Sequence, residues 1–172
     1  ETPNVSLINA FKISGRTNYG IGIGFLNAIT DKTSTSIYNN YSGAIRKEIE
    51  PLANYNVLVL DQRFRKNSSV AFVNTNVARN GSFRDANVTA LVWDLNTKKN
   101  TYNLSGDFKY SYIKGVEDKK GINSQLNFSE TSGKYRYGVG ADITTKDFDP
   151  NDLGLNFETN YYSIYGNTSY RI

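Results

Sequence analysis

The acidic run Asp147-Phe148-Asp149-Pro150-Asn151-Asp152, followed by Glu158, sets oxygen donors at the first, third, fifth and twelfth places of a twelve-residue loop. That spacing can wrap a calcium ion, and Asp147, Asp149, Asn151 and Glu158 are the candidate metal ligands. The sixth place, where such a loop turns on glycine, holds Asp152, and both flanks read as strands. A surface turn organised by Asx and Pro chemistry therefore competes with bound Ca2+, and no other cofactor is expected. A second set, Arg16, Asp61, Arg63, Asp107, Lys109, Arg136 and Asp142, falls on the polar side of alternating segments. These are the expected lumen-facing residues, where conduction or contact with a passing molecule would occur, although opposite charges there also pair across strands. Glycoside hydrolysis needs two acids about 5 to 10 Å apart across a sugar. Glu48 and Glu50 share a loop and Asp107 and Asp142 point to one side, but the sequence places no aromatic platform beside either pair, so no catalytic residue is assigned. Gly20-Ile21-Gly22-Ile23-Gly24 alternates within a strand instead of turning from strand to helix, which removes it as a dinucleotide loop. Its glycines are expected to leave room for neighbouring side chains.

The 172 residues contain no Cys, Met or His. Thiol chemistry, disulfides, His general bases and Cys/His zinc sites are excluded. The net charge of +4 is scattered along the chain, and no nucleic-acid partner is expected. Against a polar mean hydropathy of -0.52 stand 13 Tyr, 9 Phe and 14 Gly, a composition suited to strands with one apolar and one polar face. No apolar run of about 18 residues could form a transmembrane helix, and no signal peptide is visible. The lack of Met, even at position 1, is expected of a processed or excised piece.

The elements that must position these residues alternate with period two over about ten residues, enough for a tilted strand to cross a bilayer. Tyr102, Leu104, Gly106, Phe108, Tyr110 and Tyr112 oppose Asn103, Ser105, Asp107, Lys109 and Ser111. Tyr135, Tyr137, Val139, Ala141 and Ile143 oppose Arg136, Gly138, Gly140, Asp142 and Thr144. Nine strands are expected, at roughly 5–16, 19–29, 54–65, 69–78, 87–96, 102–112, 122–129, 135–144 and 160–172. Short links near 17–18, 66–67, 96–100 and 131–133 alternate with longer ones at 31–53, 79–86, 114–120 and 145–158, as in an outer-membrane barrel. The segment 31–53 reads as a polar surface loop with a helical turn at 44–49. Tyr102, Tyr110, Tyr112, Tyr135, Tyr137, Tyr162, Tyr170 and Trp93 are expected at membrane interfaces. A soluble β-sandwich is the competing fold; mid-strand charge, a Tyr-dense apolar face and alternating link lengths favour the membrane. Nine strands cannot close as antiparallel neighbours, and open edges in lipid are costly. The expected fold class is all-β: one partial domain over 1–172, an antiparallel transmembrane β-barrel segment of about nine strands from a larger outer-membrane barrel.

The phrases NVSLINAFKISGRTNYGIGIGFLNAIT (4–30), EPLANYNVLVLDQRFRKNSSVAFVNTNVAR (50–79) and GADITTKDFDPNDLGLNF (140–157) resemble the barrel region of a Gram-negative family, domain of unknown function 5916. The resemblance implies a longer protein, with a signal peptide and an upstream carbohydrate-binding module like family 9 of the xylanases, neither in this chain. It places the protein in the bacterial outer membrane, with outer-membrane lipid and the remainder of its own barrel as partners, and glycans as a further candidate. The expected role is a barrel of unassigned function that anchors, or passes material for, that module. Two alternatives stand beside it: a glycan-active hydrolase acting through the unseen module, and a structural subunit or client of a multiprotein outer-membrane complex, including the barrel-assembly machinery.

Overall fold

The computed structural model describes residues 5–39, 43–150, 152 and 158–172. The strands are β1 (Leu7–Arg16), β2 (Ile21–Thr30), β3 (Thr33–Asn39), β4 (Gly43–Glu50), β5 (Ala53–Phe64), β6 (Ser68–Arg79), β7 (Asp85–Asn96), β8 (Tyr102–Lys114), β9 (Lys119–Glu130), β10 (Tyr135–Thr144) and β11 (Tyr161–Tyr170). Nine of them form one antiparallel sheet in the order β1-β2-β5-β6-β7-β8-β9-β10-β11, and β3 and β4 pair as a separate hairpin inserted between β2 and β5. All nine strands expected from alternation are present. Short turns use left-handed backbone where the strand twist asks for it: Gly20, Asn100 and Gly133 all have positive φ, the conformation that Gly and Asn adopt most easily.

Register fixes which residues share a face. One row runs Arg16, Gly22, Asp61, Ala71, Val92, Asp107, Gln125, Asp142, Ser163 across the whole sheet. On the opposite face a row runs Ile23, Leu60, Phe72, Leu91, Phe108, and these apolar side chains stay substantially exposed. Nothing in the described residues covers that face. The small core of Val77, Ala86 and Ile113, with Tyr55 against it, lies instead on the polar face, at the end away from the short turns.

The strands are stepped as well as paired. At the short-turn rim the outermost pair of β1 and β2, Arg16↔Gly22, is level with Asp107 on β8. On β10 and β11 the outermost pair Tyr135↔Tyr170 lies three residues beyond Gly138, which is level with Asn103. At the opposite rim Thr30↔Ala53↔Arg79 lies two residues beyond the level of Ile113, whereas Thr144 is level with only Lys109. Both rims descend in the same direction by about one residue per strand.

Two expectations need correction. The segment 44–49 belongs to β4, and a helical turn is absent there: Ile37 pairs with Ile45 and Ser36 with Arg46 across an antiparallel hairpin. The links expected at 79–86 and 114–120 shrink to 80–84 and 115–118, because β6 to β9 run further than their apolar stretches and end in charged residues such as Arg79, Asp85, Lys114 and Lys119. Long connections remain only between β2 and β5 and between β10 and β11. The edge strands β1 and β11 run parallel to each other, and among the described residues neither pairs with the other. These residues alone form an open sheet.

Candidate functional site: the polar face

All seven residues expected to face a lumen share one face of the sheet. At its short-turn end, the Arg16 guanidinium on β1 reaches over β2 to the Asp61 carboxylate on β5, while Arg63 Nε lies 3.9 Å from the same carboxylate. The bridge passes above Gly22, where a Cβ would sit inside the Asp61 carboxylate. This is why the Gly-Ile alternation is needed: a side chain at 22 and the ion pair cannot coexist. Gly22→Val is expected to displace the pair and cost about 1 kcal/mol or less, the worth of a partly exposed ion pair whose side chains can swing away. Denaturant unfolding checks this, and Gly24→Val, beside only Val59, is the mild control.

Further along, Lys109 Nζ lies 2.9 Å from Asp107 Oδ1 and donates at 2.9 Å to Asn123 Oδ1, and Asn123 donates to Thr144 Oγ1 at 2.7 Å. Asp107 Oδ1 is fully enclosed but poorly aligned for a hydrogen bond, so its contact with Lys109 is an ion pair. Arg136 Nε donates to the Gly133 carbonyl at 3.3 Å. Asp142 has no ion pair among the described residues. Around it, Tyr165 lies across Gly140 with its hydroxyl donating to Asn127 Oδ1 at 2.7 Å and accepting from Gln125 Nε2 at 3.0 Å. Tyr165 is a platform that the alternation did not single out, because a tyrosine on a polar face looks like a lapse in period.

The connection after β10 folds onto this face. Thr145 closes onto Ile122, the Asp149 amide donates to Ser111 Oγ at 3.0 Å, and Phe148 is buried against Gly121, where a Cβ would collide with the Phe148 backbone. Arg79 and Asp152 join at 2.5 Å, Arg84 reaches Asp149 at 3.0 Å and Asp152 at 3.0 Å, and together they clasp the connection to the β6–β7 turn. Of the candidate calcium ligands, Asp149 is thus turned to Arg84, Asp147 and Glu158 are exposed, and Asn151 lies outside the described residues. Among the described residues no three acids are grouped closely enough to hold a metal ion. Glu48 and Glu50 stand on the β3–β4 hairpin, off the sheet.

The eight aromatics expected at interfaces all lie on the apolar face. Tyr102, Tyr135, Tyr137 and Tyr170 gather toward the short-turn rim, and Tyr110, Tyr112 and Tyr162 toward the other, with Leu, Ile, Val and Phe between them. On the same face, in the half of β2, β5, β6 and β7 toward the long connections, runs a ladder of amides, in which Asn27 donates to Asn54 at 2.6 Å and to Asn56 at 2.8 Å, and Asn74 to Thr89 at 2.8 Å. Alternation alone did not reveal this ladder. In the turn after β8, the Tyr112 hydroxyl donates to Asp118 at 2.7 Å and chiefly accounts for an Asp118 carboxyl held below its ordinary range. That contribution is present above the ordinary carboxylate pKa and is lost as pH falls through the lowered one.

A family model described as Domain of unknown function (DUF5916) matches residues 1–172. No curated protein and no solved structure matches the chain.

Proposed function

The chain belongs to the family of the domain of unknown function 5916, and from that membership and the geometry of its sheet we propose that it is a stretch of an outer-membrane β-barrel, with the apolar face in lipid and the polar face on the lumen. The observation that carries this is the stepped register. One residue per strand is a rise of ~3.3 Å for every ~4.8 Å across the sheet, a slope of about 35°. If the two rims lie level with the membrane surfaces, the strands tilt by that angle, and outer-membrane barrels tilt theirs by ~35–45°. On β8 to β11 the same levelling puts tyrosines at both rims and Leu, Ile, Val and Phe between them, the arrangement interfacial girdles have. On β2, β5, β6 and β7 the half toward the long connections carries the amide ladder, whose donors and acceptors satisfy one another. The parallel edges β1 and β11 call for further strands, supplied by the remainder of the barrel. The barrel anchors, or passes material for, a carbohydrate-binding module elsewhere in the full-length protein; this part is supported by family resemblance alone.

The deciding experiment is the intact mass of the native polypeptide in carbonate-washed membranes, identified with an antibody to residues 31–53. The expected result is a membrane-retained species several times heavier than 19.3 kDa. Recovery of the protein in the soluble wash would overturn the proposal.

A further inference from the structure

We infer that Tyr165 and the polar residues around it form a binding subsite for neutral oligosaccharides on the lumen wall, an assignment that rests on the barrel reading for which face is the lumen. Tyr165 is held before any ligand arrives. Its ring lies on Gly140, the one residue type that leaves space beneath it, and its hydroxyl is fixed from both sides by Gln125 and Asn127. Tyr165 is 42% exposed on the open edge strand β11, so its ring is anchored and, on the side turned away from Gly140, accessible from the polar face. A rigid aromatic surface offers apolar contact at little conformational cost, and the axial C–H groups of a sugar ring are the apolar complement of such a face.

The neighbours select the same chemistry. The rows through and below Tyr165 carry Asn167 on its own strand and Asn127 and Ser129 two strands away, and continue over ~14–19 Å to Ser105, Asn103 and Asp94. These are hydroxyls, amides and one carboxylate, able both to donate and to accept as a polyol requires. One row above, Asp142 lies diagonally across from Tyr165, without an ion pair among the described residues, and can accept from two hydroxyls at once. An anionic ligand is disfavoured by Asp142 beside the ring, and an apolar one by the amides.

The test uses full-length protein in planar bilayers, where a sugar lodged in the lumen interrupts the ion current and one held by a module outside the lumen does not. Current noise would follow binding of cello-, xylo- and malto-oligosaccharides, with trialanine as a neutral non-polyol of similar size. Tyr165→Ala should weaken binding of the preferred sugar about tenfold or more. Tyr165→Phe, which keeps the ring and loses its two hydrogen bonds, should weaken it only about two- to fivefold. Asp142→Asn should fall between them. Sugars binding no better than trialanine, or Tyr165→Ala binding as well as wild type, would overturn the assignment. Those failures are distinct from failure of the barrel proposal, which is read from membrane retention of the same wild-type preparation.

Discussion

Arg79→Met is expected to release the β10–β11 connection from the polar face, raising trypsin cleavage at Lys146 about a hundredfold in the folded full-length protein. Arg79 and Asp152 are joined at 2.5 Å, with side chains only 12% and 7% exposed. Removing one partner of a buried ion pair costs ~3–5 kcal/mol because the other charge is left without compensation. Asp152 would keep Arg84 at 3.0 Å, from a guanidinium nearly half exposed, so the lower end of that range applies. About 3 kcal/mol is about two decades in the opening equilibrium, and cleavage follows that equilibrium when opening and closing are fast. Met preserves much of the Arg stem, so lost packing contributes little. The double variant Arg79→Met/Asp152→Leu should recover much of the protection, since it leaves no unpaired charge on that side. Unchanged cleavage in the single variant would mean that Phe148 in its place against Gly121 holds the connection without the clasp.

What the sequence made legible, and what it hid, follows from range. Alternation is a local signal, and wherever the faces differ in polarity it gave the strand and its orientation; Tyr102–Lys114 and Tyr135–Thr144 are such cases. In β5 both faces carry aliphatics, Val57 and Val59 on one side and Leu58 and Leu60 on the other, so Asp61 and Arg63 mark its orientation only once register is known. Among the described side chains of the β3–β4 hairpin only Thr33 is buried, so no face imposes a period. Thr33-Ser34-Thr35-Ser36 therefore reads as loop and Ala44-Ile45-Arg46-Lys47-Glu48-Ile49 as helix. The clasp joins Arg79 to a residue 73 positions away, and Tyr165 meets Gln125 across 40. Neither separation leaves a periodic trace. The acids of the candidate calcium loop show the consequence: the ligand spacing is present, but the arginines that occupy Asp149 and Asp152 come from β6 and the turn after it.

Leu91→Arg separates a lipid-facing sheet from a water-facing one, because the two environments predict different costs for the same substitution. Leu91 lies midway along β7, on the apolar face between Phe72 and Phe108, and is 43% exposed. In water, a charge at so open a position changes stability by about 0.5 kcal/mol or less. In a bilayer, Arg on the lipid face near the midplane costs ~2–4 kcal/mol. The strand tilt of about 35° keeps the middle of β7 near the midplane, equally far from both rims, so the larger figure applies if the rims are level with the membrane. Ser105→Arg, three residues from the level of Leu91 along the neighbouring strand and on the polar face, supplies the control and should cost little in either setting. Denaturant unfolding of the full-length protein from lipid vesicles reads both. A loss of some 30- to 1000-fold in the folding equilibrium for Leu91→Arg alone is the expected result, and equal small losses for the two would remove lipid as the partner of the apolar face. The pair tests orientation as well as environment, since a sheet inserted with its faces exchanged would reverse which substitution is harmful.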